Sequence, residues 1–109
     1  MLIWEWKKGE RMQILNYQKV DRLANTLAIL GDPVRLSIVV YLLEHPANVT
    51  EITEYLKMSQ PAISHHLRLL KTSGILKNEK KGKLVYYSLK DEHVKNIIES
   101  GLVHTSNGE

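Results

Sequence analysis

The stretch 59–74, SQPAISHHLRLLKTSG, has the pattern of an amphipathic helix with a signal at each end. Ser59 is a preferred N-cap residue, Pro61 suits the first helical turn, and Gly74 suits the position just past the last turn. At about 100° per residue, three aliphatic side chains share one face: Ile63, Leu67 and Leu70. The pattern predicts a helix over 59–73 that packs this face against a core.

The opposite face of this helix is polar and basic. It consists of Pro61, Ser64, His65, Arg68 and Thr72, with Lys71 beside it. Short polar and basic side chains can donate hydrogen bonds to base edges and phosphates. We therefore interpret the stretch as a DNA recognition helix. These residues alone also fit an ordinary amphipathic surface helix.

Basic residues are concentrated in the same part of the chain. The 109 residues carry a formal charge of +3. Residues 60–90 hold seven lysines and arginines against one acid, Glu79, so this segment is +6 and the remainder of the chain is −3. A basic segment on a slightly acidic body indicates a surface that faces a polyanion, although a solvated run of charge is the alternative.

The composition excludes several classes of protein. The chain has no cysteine, which excludes disulfides, thiolate metal sites and thiol redox sensing. No apolar run approaches the length of a membrane span, and the first residues lack the pattern of a signal peptide. We therefore expect a cytoplasmic protein with no membrane partner. We predict an extension over 1–15, where Trp4 and Trp6 pack on a neighbouring helix or a partner chain, one domain over 16–106 and a tail over 107–109.

Two helices are predicted ahead of the central stretch. Apolar residues at helical spacing over 17–28 indicate a first helix, which Gly31 ends. Asp32 and Pro33 are typical of the start of a second helix, and the apolar run that follows them predicts that this helix crosses the core. His45 and the proline after it stop the second helix.

A short third helix precedes the recognition helix. We expect Thr50 to cap a helix over 51–57. Its inward side chains are predicted to be Ile52, Tyr55 and Leu56. Because only a short connection separates it from the recognition helix, the pair has the helix-turn-helix arrangement.

After Gly74 the hydrophobic pattern changes period. The segments 75–79 and 84–89 read as two strands, joined by a lysine-rich turn over 80–83. Such a hairpin is typical of a wing, whose lysines lie along the DNA backbone: Lys80, Lys81 and Lys83.

A last helix follows, which Asp91 can cap. Its apolar residues recur at helical spacing: Val94, Ile97, Ile98, Gly101 and Leu102. The predicted fold is a mainly α winged helix-turn-helix with a small β-hairpin, in the order α-α-α-α-β-β-α. The first and last helices are more apolar than a small core requires. We therefore expect a dimer that forms through these two helices and holds its recognition helices about one DNA turn apart.

Three segments carry a specific resemblance. LGDPVRL at 30–36, MSQPAISHHL at 58–67 and GKLVYYSL at 82–89 resemble the ArsR/SmtB family of bacterial repressors. The resemblance covers roughly residues 16–106 and implies a homodimer that binds a double-stranded DNA operator. It also implies that Gln60, Ser64 and His65 contact bases, with Pro61 in place of a frequent serine. The predicted DNA-binding set is Ser59, Gln60, Pro61, Ser64, His65, Arg68, Lys71, Lys80, Lys81 and Lys83.

The resemblance also implies a metal site on the last helix. Most members of the family respond to metals, and one family site uses an Asp-x-His near the start of this helix and two ligands near its end. Here Asp91 and His93 match the first half, His104 follows at the family spacing, and Asn107 occupies the final position. An amide oxygen is a weak zinc ligand, so Glu109 or water could complete the site.

Helix geometry limits how such a site can close. His93 and His104 are 11 residues apart, a rise of about 16 Å along one helix, whereas Zn–N bonds are about 2 Å long. We therefore predict two symmetric sites per dimer, each with Asp91 and His93 from one chain and His104 from the other. Zinc is the first expectation, and nickel or cobalt follows if water raises the coordination number.

These patterns predict a dimeric, sequence-specific repressor that a metal ion releases from its operator. The alternatives are a repressor with a non-metal effector or none, and a winged-helix module for protein–protein assembly. We expect no enzymatic activity, because Ser64 and His65 are adjacent and point about 100° apart, with no evident carboxylate to orient the histidine. The glycine-containing turn of the wing lacks a phosphate-loop pattern.

Overall fold

The computed structural model describes residues 16–106, which form five helices and a three-stranded antiparallel sheet. The elements are α1 (Tyr17–Leu30), α2 (Pro33–Tyr41), β1 (Ala47–Asn48), α3 (Val49–Leu56), α4 (Gln60–Thr72), β2 (Leu76–Lys81), β3 (Leu84–Leu89) and α5 (Glu92–Ser106). The predicted winged helix-turn-helix order is confirmed, with the short strand β1 added to it. The extension over 1–15, with Trp4 and Trp6, and the tail with Asn107 and Glu109 lie outside the described residues.

The recognition helix α4 ends as its sequence predicts. Ser59 is its N-cap, and the Ser59 Oγ accepts a hydrogen bond from the backbone N–H of Ala62. At the other end Gly74 has a φ of +76°, a conformation that glycine adopts without strain. The N–H of Ile75 then donates to the carbonyl of Leu70, which satisfies an orphan carbonyl of the last turn.

The core collects the inward faces of all five helices and of the strand that follows α4. Its buried members in the described chain are Leu30, Ile38, Val39, Leu42, Ala47, Ile52, Ile63, Leu67, Leu70, Ile75, Leu76 and Ile98. The three apolar residues predicted for one face of α4 all have no exposed surface. The predicted face of the recognition helix is therefore confirmed.

The start of α3 differs from the prediction. The cap is Asn48 and not Thr50, because the Asn48 side chain accepts from the N–H of Glu51 while the Glu51 carboxylate accepts from the N–H of Asn48, both at 2.9 Å. This reciprocal pair is a capping box, and it starts the helix earlier than expected. The prediction that Tyr55 faces inward is also wrong, since its side chain is 65% exposed and stacks on Tyr41.

The wing is longer than predicted. Strands β2 and β3 stay in register until Lys81 faces Leu84, so the turn consists of Gly82 and Lys83 alone. The φ of +65° at Gly82 is the glycine conformation that a two-residue hairpin turn needs at its first position. Lys80 and Lys81 therefore belong to strand β2, and their placement in the turn was wrong. Strand β1 pairs with the other side of β3, with Ala47 facing Tyr87.

Helices α1 and α5 leave apolar side chains outside the core of the single chain. Those at least 40% exposed are Tyr17, Val20, Leu23 and Leu27 on α1, and Ile97, Leu102 and Val103 on α5. A cavity of about 280 Å³ lies between the two helices, lined in part by Leu27, Ile98 and Gly101. These two helices therefore present a nearly continuous apolar surface.

None of the helices in the described segment 16–106 is by itself long and apolar enough to cross a membrane. Only α1 and α2 taken together meet that length and composition, and they meet at an angle of 90°.

The capping box at α3 gives a direct stability test. We expect Asn48→Ala to lower the free energy of unfolding by about 1–2 kcal/mol, because Asn48 is buried and the N–H of Glu51 loses its acceptor. Thr50→Ala is the matched control and should change it by less than about 0.5 kcal/mol. Urea denaturation measures both. Equal losses in the two variants would contradict the assignment of the cap.

Candidate nucleic-acid interface

The outward face of α4 carries most of the predicted DNA-binding residues. Ser59, Gln60, Pro61, His65, Arg68 and Lys71 are exposed, and Ser64 is half-buried. Pro61, His65 and Arg68 lie opposite the three fully buried aliphatic side chains, which fix the rotation of the helix about its axis. The exposed face is therefore polar and basic, free of large apolar side chains, and available to a partner.

The connection from α3 to α4 contains a residue whose conformation was not predicted from the sequence. Lys57 ends α3 in the left-handed conformation, with a φ of +56°, and its N–H donates to the carbonyl of Thr53. This position is usually occupied by glycine or asparagine, and a lysine rarely adopts the conformation. The sequence therefore gave no sign that the chain reverses at Lys57. The sharp reversal lets only three residues connect α3 to α4, which is the geometry of a helix-turn-helix.

The wing lysines do not form a single row. Side chains alternate between the two faces of a strand, so Lys80 and Lys81 point to opposite faces of β2. The Lys81 ammonium lies 3.9 Å from a carboxylate oxygen of Glu79 and 5.9 Å from the ring centre of Tyr86. The Lys81–Glu79 contact is highly exposed and therefore weak, which leaves Lys81 able to change partners.

A polar cluster lies behind the recognition helix. Asp32 caps α2 and accepts a hydrogen bond from the backbone N–H of Arg35. The Arg35 side chain reaches the carbonyl of Ile29 and the ring of His66 on α4. The hydrogen bond from the Arg35 N–H, together with the nearby charge of Arg35, lowers the pKa of Asp32 against a raising effect of burial. His66 is half-buried, and its contact with Arg35 was not predicted. The signal in the sequence was a lone arginine inside an apolar helix.

The predicted metal ligands occupy the two ends of α5. Asp91 Oδ1 accepts from the N–H groups of His93 and Val94, so Asp91 caps the helix and lies beside His93. His93 and His104 are both exposed. Within 16–106, no three His, Asp or Glu side chains of one chain come together in a way that could hold a metal ion. Asp91, His93 and His104 could therefore bind one metal ion only if the start of one α5 lay beside the end of a second copy of α5.

Comparison with known proteins decides the family. Residues 32–78 match the bacterial regulatory proteins of the arsR family. The chain is 45% identical over 103 residues to the cadmium resistance transcriptional regulatory protein CadC homolog of Staphylococcus aureus, and the match covers 94% of this chain and 85% of that one. The chain belongs to the ArsR/SmtB family.

Solved structures agree with this assignment. The transcriptional repressor PagR of Bacillus anthracis is 34% identical, and the match covers 77% of this chain and 97% of that one at a TM-score of 0.71. A homodimeric winged helix-turn-helix DNA-binding domain of Mycobacterium bovis superposes with a TM-score of 0.79 over 83% of each chain. At 23% identity this second likeness establishes the shared fold.

The family membership confirms two predictions from the sequence. ArsR-family proteins are DNA-binding transcriptional regulators. They are not enzymes, in agreement with the absence of a catalytic arrangement around Ser64 and His65 in the sequence.

Proposed function

We propose that this ArsR-family regulator is a sequence-specific repressor that binds its operator as a dimer and is released by a transition metal ion. The observation that carries the operator-binding part is the outward face of α4. Its polar and basic side chains stand on a helix whose opposite face is completely buried. An operator-binding protein works where the chromosome is, which supports a cytoplasmic location.

Direct contact with DNA divides between two parts of the surface. Gln60, Ser64 and His65 lie in the first half of α4, where a recognition helix reaches base edges in the major groove. Arg68, Lys71 and the wing lysines add positive charge that can follow the phosphates. Specificity is therefore assigned to the first half of α4, and salt-dependent affinity to the remainder.

The exposed apolar side chains of α1 and α5 support dimerisation through these two helices. A contiguous apolar patch on a small chain is typical of a protein–protein interface. Gly101 supports the same conclusion, because a Cβ atom built at this position meets nothing within 4 Å among residues 16–106 of its own chain. The close approach of a partner helix would account for a glycine in the middle of α5.

The residues at the two ends of α5 support a metal effector. Asp91 and His93 would bind the ion together with the partner's His104, and Asn107, Glu109 or water would complete the set. Carboxylate and imidazole donors suit zinc first, and nickel or cobalt with added water. The relative of Staphylococcus aureus is named as a cadmium resistance regulator, which supports a metal of this general kind. A bound cation would cross-link the two last helices of the dimer.

A repressor without a metal effector is the second candidate. Asn107 favours it, because this position should carry an imidazole or carboxylate in a complete site. A protein–protein assembly module is disfavoured, because an assembly surface on α4 requires large apolar anchors and this face carries Ser, His and Arg.

Operator recognition can be tested with the duplex that binds best in a selection from random DNA. We expect Ser64→Ala and His65→Ala each to weaken specific binding by about 1–3 kcal/mol and to relax sequence preference. Lys83→Ala should weaken binding to this duplex and to a scrambled one alike. It should also reduce the slope of log K against log salt concentration by about one. Fluorescence anisotropy measures both effects.

The control for charge is Lys19→Ala, which removes an exposed lysine of α1 and should leave both affinities unchanged. Equal affinity of the parent protein for the selected and scrambled duplexes would contradict a sequence-specific repressor.

Dimerisation through α5 makes a prediction about Gly101. In an isolated helix, Gly101→Ala would stabilise the chain by about 1 kcal/mol. At a close helix–helix contact the added methyl group should instead weaken dimerisation by about 1–3 kcal/mol. Sedimentation equilibrium measures the change, with the neighbouring Ser100→Ala as control. A monomeric parent at micromolar concentration, or a stronger dimer in Gly101→Ala, would overturn this interface.

The metal effector can be tested by calorimetric titration with zinc chloride. We expect His104→Ala to lose most of the zinc affinity of the parent, because each site loses an imidazole ligand. Zinc should lower the operator affinity of the parent by about 5- to 150-fold. His45→Ala, at an exposed histidine outside α5, is the control. Unchanged zinc affinity in His104→Ala, or operator affinity indifferent to zinc, would leave the second candidate.

A further inference from the structure

Arg35 joins three helices through one half-buried side chain. Its backbone N–H, at the start of α2, donates to Asp32 Oδ2 at 3.0 Å. Its Nε donates to the carbonyl of Ile29, near the end of α1, at 2.7 Å. Its Nη1 lies 3.5 Å from Nδ1 of His66 on α4.

The contact between Arg35 and His66 requires one form of the histidine. A guanidinium can only donate hydrogen bonds, so Nδ1 of His66 must accept. The ring is then neutral and carries its single proton on Nε2. At 3.5 Å the hydrogen bond is at the long end of the accepted range, so it is sensitive to a small displacement of α4. A protonated ring would turn a donor and a positive charge toward the guanidinium.

The charged groups around His66 come from two helices. Asp32 and Arg35 face it from α2, and the ring of His65 on α4 lies 5.8 Å away, edge to face. Asp32 and Arg35 carry opposite charges. The same cluster lies directly behind His65, which is exposed on the DNA-facing side.

We propose that Arg35 is a positioning residue for the recognition helix. Through neutral His66 it holds α4 in a fixed orientation against the end of α1, and operator affinity falls when His66 is protonated. The inference rests on the proposed operator binding. It adds a role for two residues, neither of which is among the residues assigned to DNA or metal.

The test is a double-mutant cycle in operator affinity, measured near pH 8 and near pH 5.5. The four proteins are the parent, His66→Gln, Arg35→Lys and the double variant. Glutamine can accept a hydrogen bond from Arg35 and does not titrate. Lysine keeps the charge but has a single nitrogen in place of the Nε and Nη1 that contact Ile29 and His66. His65 is present in all four proteins.

We expect His66→Gln and the parent to bind the operator equally near pH 8. Near pH 5.5 His66→Gln should bind about tenfold more tightly than the parent, since only the parent loses a hydrogen bond to a charged group. In the Arg35→Lys background the same ratio should be independent of pH. His45→Gln removes a histidine outside the cluster and should keep the pH dependence of the parent.

A second measurement needs no DNA. The ring ¹⁵N shifts of His66 near pH 8 should report the Nε2–H tautomer in the parent and a mixture of tautomers in Arg35→Lys. This readout separates the two hypotheses, because a parent that cannot distinguish operator from scrambled DNA defeats the proposed function and leaves the tautomer result intact.

Two results would overturn the inference. One is a ratio of His66→Gln to parent affinity that is the same at both pH values. The other is a pH-dependent ratio that persists in Arg35→Lys together with an unchanged His66 tautomer, because His66 would then act without Arg35.

Discussion

The burial of Ile63, Leu67 and Leu70 is the interaction on which the rest of the structure depends. The three side chains recur along α4 and have no exposed surface, so they fix both the position and the rotation of the helix. Each fully buried aliphatic side chain contributes about 1.5–3 kcal/mol relative to exposure, which is ample to hold one rotation. Because that rotation is fixed, the opposite face must present Ser64, His65 and the basic residues to solvent.

The sequence predicted the elements whose signals are local. Hydrophobic period, Ser59 and Gly74 defined α4, and Asp32 with Pro33 defined the start of α2. The predictions were wrong where a contact between distant residues determined the local structure. Asn48 caps α3 because β1 pairs with β3 and brings Asn48 opposite Tyr86, whereas local sequence favoured Thr50 equally well. A two-residue strand and a lysine in the left-handed conformation leave no periodic signal.

In the candidate site, too, local features could be predicted and contacts between distant residues could not. The outward-facing residues of α4 could be predicted because they lie on one helix, where spacing determines direction. The contact of Arg35 with His66 could not, since the two residues are 31 positions apart and meet only after α2 packs against α4. The proposed metal ligands could be predicted only in part. Helix rise showed that His93 and His104 cannot meet within one chain, and within the described residues of a single chain they do not form a site.

The Arg35 contacts, the proposed metal ligands and the exposed apolar side chains of α1 and α5 all concern how the proposed dimer surface is connected to the recognition helix. Arg35 ties the end of α1 to α4, and the proposed metal set lies at the two ends of α5, so both act on helices that present the exposed apolar surface. A change in how α1 and α5 pack against a partner would reach α4 through Ile29 and Arg35. Two operator half-sites require a fixed distance between recognition helices. On the proposed dimer, a small shift at this surface would therefore alter operator affinity without any change in the residues proposed to touch DNA.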